Sequence, residues 1–125
     1  MNLDPSKLCQ IEIPVHDLNK ARSFYEEVLG FHESLVEIYD TVVIDVGEGS
    51  AYGISLVRTE DVPMERGKNK GITLHFSCDN PEEVIGKARD FGIKNLSGPK
   101  TVPGYGILWE IEDPDGHRIG LFKKY

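Results

Sequence analysis

The chain of 125 residues is poor in cysteine, with Cys9 and Cys78 alone. Two thiols cannot build the disulfide framework of a small secreted domain, and the opening MNLDPSKLC lacks the apolar core of a secretory leader, so a reducing, cytoplasmic setting is expected. Long apolar runs are missing as well. Charge interrupts every stretch well before the roughly 18 residues that a membrane span requires, and no membrane partner is expected. Nor is there a basic excess: 14 Lys and Arg stand against 21 Asp and Glu, a formal charge of -7. The basic residues are scattered singly, Arg66, Lys68 and Lys70 forming the densest group, whereas phosphate neutralisation needs cations gathered on one surface. No nucleic-acid partner is expected. The four histidines, His16, His32, His75 and His117, form no HxH or HxxxH pair, so spacing alone does not announce a metal site. A Ser/His/Asp order, a phosphate-binding Gly loop and a deaminase motif are all absent.

What is present suits one ordinary domain over residues 1–125. At 39% apolar residues and 28% charged, with five Phe, five Tyr and one Trp, the composition can fill a core and is not that of a disordered chain.

The dominant pattern is an internal repeat. LCQIEIPVHDLNKARSFYEEVLG (8–30) and GITLHFSCDNPEEVIGKARDFG (71–92) each open with alternating residues, reach Asp or Asn, continue with helical periodicity and stop at Gly. An offset of 63 residues superposes Ile11 on Leu74, Ile13 on Phe76 and Asp17 on Asn80, so the chain reads as two tandem copies of one unit. In the first copy Ile11, Ile13 and Val15 share one strand face. Asp17 then caps a helix whose apolar residues, Ala21, Phe24, Tyr25, Val28 and Leu29, have helical spacing, and Gly30 ends it. In the second copy Asn80, Pro81 and Glu83 form a capping-box-like start, Val84, Ile85, Ala88 and Phe91 make the apolar stripe, and Gly92 is the stop.

Short β-rich runs follow each helix: HESLVEIYD, TVVIDVG and AYGISLVR in the first copy, separated by Asp40 and Gly47-Glu48-Gly49, then a piece around 93–96, YGILWEIE and HRIGLFKK in the second. Asp113-Pro114-Asp115-Gly116 is a hairpin turn, with Pro presetting φ and Gly at its last position. The expected architecture is α+β, two βαβββ modules at 8–58 and 71–123 joined by a polar linker at 59–70. In each sheet the helix covers one face and leaves the other open, and two such sheets side by side enclose a cup. Alternation names the open-face residues: Gln10 and Glu12 in the first strand, Thr73, His75 and Ser77 in its counterpart. Cys9 and Cys78 fall on the apolar side and read as buried small hydrophobes. His16 and His117, next to a cap and a turn, read as exposed.

These residues resemble a family. IPVHDLNKARSFYEEVLGF is similar to the first-module signature of the vicinal oxygen chelate superfamily, in which a strand ending in Val-x-Asp leads to a helix with Phe-Tyr and a Leu-Gly close. WEIEDPDGHRIGLF is similar to its last hairpin. The resemblance spans about Leu8 to Phe122 and implies the cup-shaped, glyoxalase-like fold. Known members include glyoxalase I, extradiol dioxygenases, fosfomycin-modifying enzymes, methylmalonyl-CoA epimerase and bleomycin-sequestering proteins. Its enzymes hold a divalent metal with His, Glu or Gln side chains from the first and last strands of the modules. Carried over, those positions are Gln10, Ser55, Thr73 and Gly120, where the family has His at the third and Glu at the second and fourth. An amide, two hydroxyls and a glycine offer no anionic or imidazole donor to a borderline metal.

The reading that follows is a metal-independent binder or sequestering protein for a small organic molecule, with no cofactor. Its site is lined by Gln10, Glu12, Ser55, Thr73, His75, Trp109 and Arg118. Arg118 either anchors a ligand anion or pairs with Glu12 or Glu110, and Trp109 either stacks on a planar ligand or packs against the second helix. The alternative is a divalent-metal lyase, isomerase or dioxygenase with a displaced site of Glu12, His75 and Glu110. Relatives assemble their cups from four modules, which implies a homodimer.

Overall fold

The computed structural model describes residues 4, 7–38, 41–45, 53–60 and 72–125, with the backbone alone for 32–38 and 41–45. The chain divides into two compact units, Met1–Asp61 and Val62–Tyr125. Of the linker expected at 59–70, residues 61–70 lie outside the described residues, as do the separators at Asp40 and 47–49.

Each unit is a βαβββ arrangement, and the fold is α+β. The first contains β1 (Gln10–Val15), α1 (Leu18–Glu27), β2 (His32–Ile38), β3 (Thr41–Asp45) and β4 (Gly53–Arg58). The second contains β5 (Thr73–Ser77), α2 (Pro81–Phe91), β6 (Leu96–Val102), β7 (Gly106–Glu112) and β8 (Arg118–Lys124). The sheets have equivalent orders, β1-β4-β3-β2 and β5-β8-β7-β6. In both, the helix carries the chain from the first strand to the far edge, and two antiparallel returns bring the last strand beside the first, parallel to it.

The first helix starts and stops as its sequence dictates. The Asp17 carboxylate accepts from the Lys20 amide at 3.1 Å, satisfying one orphan donor of the first turn. Gly30, at φ +73°, reverses the chain. The amide of Phe31 then donates to the Tyr25 carbonyl at 3.0 Å, and the Phe31 ring stacks on Tyr25 at 6.0 Å. Ala21, Phe24, Tyr25 and Val28 are buried against Ile13, Val15, Ile54 and Leu56, the inward set of β1 and β4.

The second helix departs from expectation at its start. Asn80 makes no side-chain bond to a backbone amide; its Nδ2 donates instead to Glu83 Oε2 at 3.0 Å. Gly92, at φ +106°, forms the left-handed stop. Of the expected stripe only Ala88 is fully buried, and the sheet supplies the bulk of this core through Trp109, Ile111, Ile119 and Leu121.

β6 begins at Leu96, where the expected strand ended. The strand passes through Gly98-Pro99 by a register shift between Ser97 and Lys100. An added Cβ on Gly98, at φ +115°, would lie 2.9 Å from the Leu108 carbonyl oxygen and 2.9 Å from Trp109 Cα; the close backbone approach requires glycine. Cys9 is exposed and Cys78 half-buried, which corrects the reading of both as buried: each sits just outside its strand, where alternation no longer applies. His16 is exposed and His117 half-buried.

Candidate functional site

In the first sheet, Cα pairing sets Gln10 beside Gly53, Glu12 beside Ser55 and Pro14 beside Val57. These residues share the face away from α1, since Ile11, Ile13 and Val15 alternate with them toward the helix. Gln10 Nε2 donates to Ser55 Oγ at 2.6 Å, so two of the sequence-derived site residues satisfy each other across strands. Ser55 is 1% exposed, while Glu12 is open to solvent.

In the second sheet the open face is organised in rows. One row runs from His75 on β5 through Gly120 on β8 and Glu110 on β7 to Ser97 on β6. The adjoining row is Thr73, Arg118 and Glu112. Glycine at position 120 shapes the first row. A Cβ there would collide with Nδ1 of His75 and come within 2.7 Å of its Cε1, so the imidazole lies over the backbone of β8, the strand that separates it from Glu110.

Glu112 is 8% exposed, and its carboxylate accepts from Asn95 Nδ2 at 3.0 Å. Arg118 is engaged by neighbouring groups. Glu110 is half-buried and, like His75 and Ser97, has no side-chain hydrogen bond or ion pair among the described residues. Two depressions meet at Glu110 and Ser97. One, of about 200 Å³, includes Asn95, Glu112 and Arg118; the other, of about 270 Å³, includes Lys100 and Leu108. The turn before β8 holds Arg118 in place: Asp113, 1% exposed, accepts from the amides of Asp115 at 2.9 Å and His117 at 2.8 Å, as the Asp-Pro-Asp-Gly signal implies.

Trp109 does not share this face. Its Cα partner is Leu121, whose other neighbour is Phe76, and it is 9% exposed in the helix-side core. Of the two readings open to it, packing is the one realised. Thr73, His75 and Arg118 come together on one sheet, whereas Gln10, Glu12 and Ser55 come together on the other. Sequence reasoning passed over Ser97, Glu112 and Asn95 as site residues. The alternation Trp-Glu-Ile-Glu already set Glu112 on the face of Glu110; Ser97 and Asn95 depended on the displaced start of β6.

The family model described as the glyoxalase/bleomycin resistance protein/dioxygenase superfamily matches residues 7–121. The chain belongs to this superfamily. No curated protein sequence matches it. Among solved structures, a glyoxalase/dioxygenase from Nostoc punctiforme superposes with a TM-score of 0.78 at 22% identity, covering 100% of this chain and 97% of that one. TnmS3, an antibiotic binding protein from Streptomyces sp. CB03234, gives 0.71 at 25% identity, covering 99% and 100%. The fosfomycin resistance protein FosX from Listeria monocytogenes gives 0.72 at 18% identity, covering 94% and 91%.

By the resemblance, the superfamily's metal positions fall on Gln10, Ser55, Thr73 and Gly120. Gln10 and Ser55 are hydrogen-bonded to one another, Thr73 offers a neutral hydroxyl, and Gly120 offers no side chain and is overlain by His75. This donor set does not fit a divalent ion. For the displaced alternative, His75 and Glu110 flank Gly120 as its two Cα partners, while Glu12 belongs to the other unit. Among the described residues, no three His, Cys, Asp or Glu side chains group closely enough to hold a metal ion.

Proposed function

We propose that the protein binds a small organic molecule with side chains alone, on the open face of the second sheet, and serves as a binding or sequestering protein. One observation carries the reading. The positions that supply metal ligands in the superfamily are committed to a Gln10–Ser55 hydrogen bond on the first sheet and, on the second, to a neutral Thr73 hydroxyl and a glycine overlain by imidazole, while the open face of the second sheet keeps the polar groups of His75, Glu110 and Ser97 available beside two depressions. The antibiotic binding protein TnmS3, similar over nearly the whole chain, supports small-molecule binding as a use of this fold; analogy of fold alone does not fix chemistry. Binding to the folded state raises the melting temperature by an amount that grows with the logarithm of the ligand excess over Kd. Thermal shift with bleomycin and fosfomycin, each with EDTA and with added Zn²⁺ or Mn²⁺, tests the proposal. Stabilisation that survives EDTA supports it, and stabilisation that appears only with metal refutes it.

The metal-dependent alternative retains one observation in its favour, the flanking of Gly120 by His75 and Glu110. A homodimer is part of the same proposal and is read by sedimentation equilibrium. No helix among the described residues is long and apolar enough to cross a membrane.

A further inference from the structure

Resting on the binding reading above, the geometry points to a ligand class: we propose that the open face of the second sheet takes molecules that carry a protonated amine or guanidine, seated on the Glu110 carboxylate between His75 and Ser97. Two charges of this face are already engaged. Glu112 is buried and accepts from Asn95, and Arg118 is engaged by its neighbours. Lys100, on the rim of the second depression, is exposed and forms no ion pair with Glu110, so its ammonium remains hydrated.

Glu110 differs from all of these. It is half-buried, lines both depressions and has no partner among the described residues. A half-buried carboxylate with no donor keeps its acceptor sites for a ligand, and a cationic N–H donor fills them with a charge-assisted hydrogen bond. An anionic ligand seated on Glu110 itself meets a like charge that makes no ion pair among the described residues. The chain's net charge of -7 acts in the same direction by drawing cations during approach.

Gly120 links His75 to this seat. With no Cβ in the way, the imidazole reaches over β8 toward the Glu110 side of the row. The unprotonated ring nitrogen of the neutral imidazole and the Ser97 hydroxyl can then accept from the remaining N–H groups of an amine or guanidine.

The test uses the full chain, labelled with ¹⁵N, and four probes of similar size: benzylamine, phenylguanidine, benzyl alcohol and benzoate. The expected result is that the two cations shift the amides of Ser97, Glu110 and Gly120 and bind about tenfold tighter than the alcohol. Glu110→Gln removes that advantage, and Glu110→Asp, which keeps the charge, retains part of it. Unchanged melting of both variants separates the effect from misfolding. If benzoate or benzyl alcohol binds these residues as well as benzylamine does, or if Glu110→Gln leaves amine affinity intact, the cation assignment is overturned and the binding reading stands. If no probe perturbs this face, both fall.

Discussion

The two units share one topology and differ in which layer supplies the bulk of the core. In the first, α1 brings Phe24 and Tyr25 down on a sheet of aliphatic residues, their rings 5.3 Å apart and edge to face. In the second, α2 buries only Pro81 and Ala88, and the large side chain rises from the sheet as Trp109. The same inter-layer space is filled from opposite sides. The open faces differ in a related way. The first sheet closes its ligand positions with the Gln10–Ser55 bond, whereas the second leaves position 120 without a side chain and draws His75 over it. The first ties Gln10 to Ser55 and leaves Glu12 open to solvent; in the second, Glu110 has no partner among the described residues.

The comparison of cores is broken most severely by truncating the aromatic of either unit. Phe24→Ala and Trp109→Ala should each destabilise by about 3–5 kcal/mol, measured by urea unfolding. A cost below about 1 kcal/mol for Trp109→Ala would show that the second core does not depend on its sheet-borne ring. A smaller effect contrasts two glycines. At Gly98→Ala the obstacles are backbone atoms and φ is positive, so about 1–3 kcal/mol should be lost. At Gly120→Ala the obstacle is the ring of an exposed histidine that can swing aside, so stability should fall by less than about 1 kcal/mol while the His75 ring resonances move. Equal losses at the two sites would contradict the distinction. The smallest contrast is at the helix starts: Asp17→Ala should cost about 1 kcal/mol, and Asn80→Ala only a few tenths, because Asp17 alone makes a cap bond to the backbone.

Much of this was legible in the sequence because it rests on local rules. Strand alternation set Gln10, Glu12, Thr73 and His75 on open faces, and the Asp17 cap, the Gly92 stop and the Asp113–Gly116 turn each have short-range signals. What escaped depends on pairing between distant segments. Gly98-Pro99 breaks a strand by local preference but is accommodated by the register of β7 against it. Asn80 has a capping residue's chemistry, and Glu83 competes for its side chain. Trp109 already alternated with Glu110 and Glu112, and its pairing with Leu121, beside Phe76, puts it on the helix face. The overlay of His75 on Gly120 follows from a parallel pairing across 45 residues, which neither residue announces alone.

Metal content is the most direct measure of the central claim, that ligand binding here dispenses with a divalent ion. The full chain is dialysed against Zn²⁺ or Mn²⁺, freed of loosely held ions and assayed by mass spectrometry of the elements. Far less than one metal per chain is expected, with the same benzylamine affinity with and without EDTA. One metal per chain, lost in His75→Ala or Glu12→Ala, would contradict it.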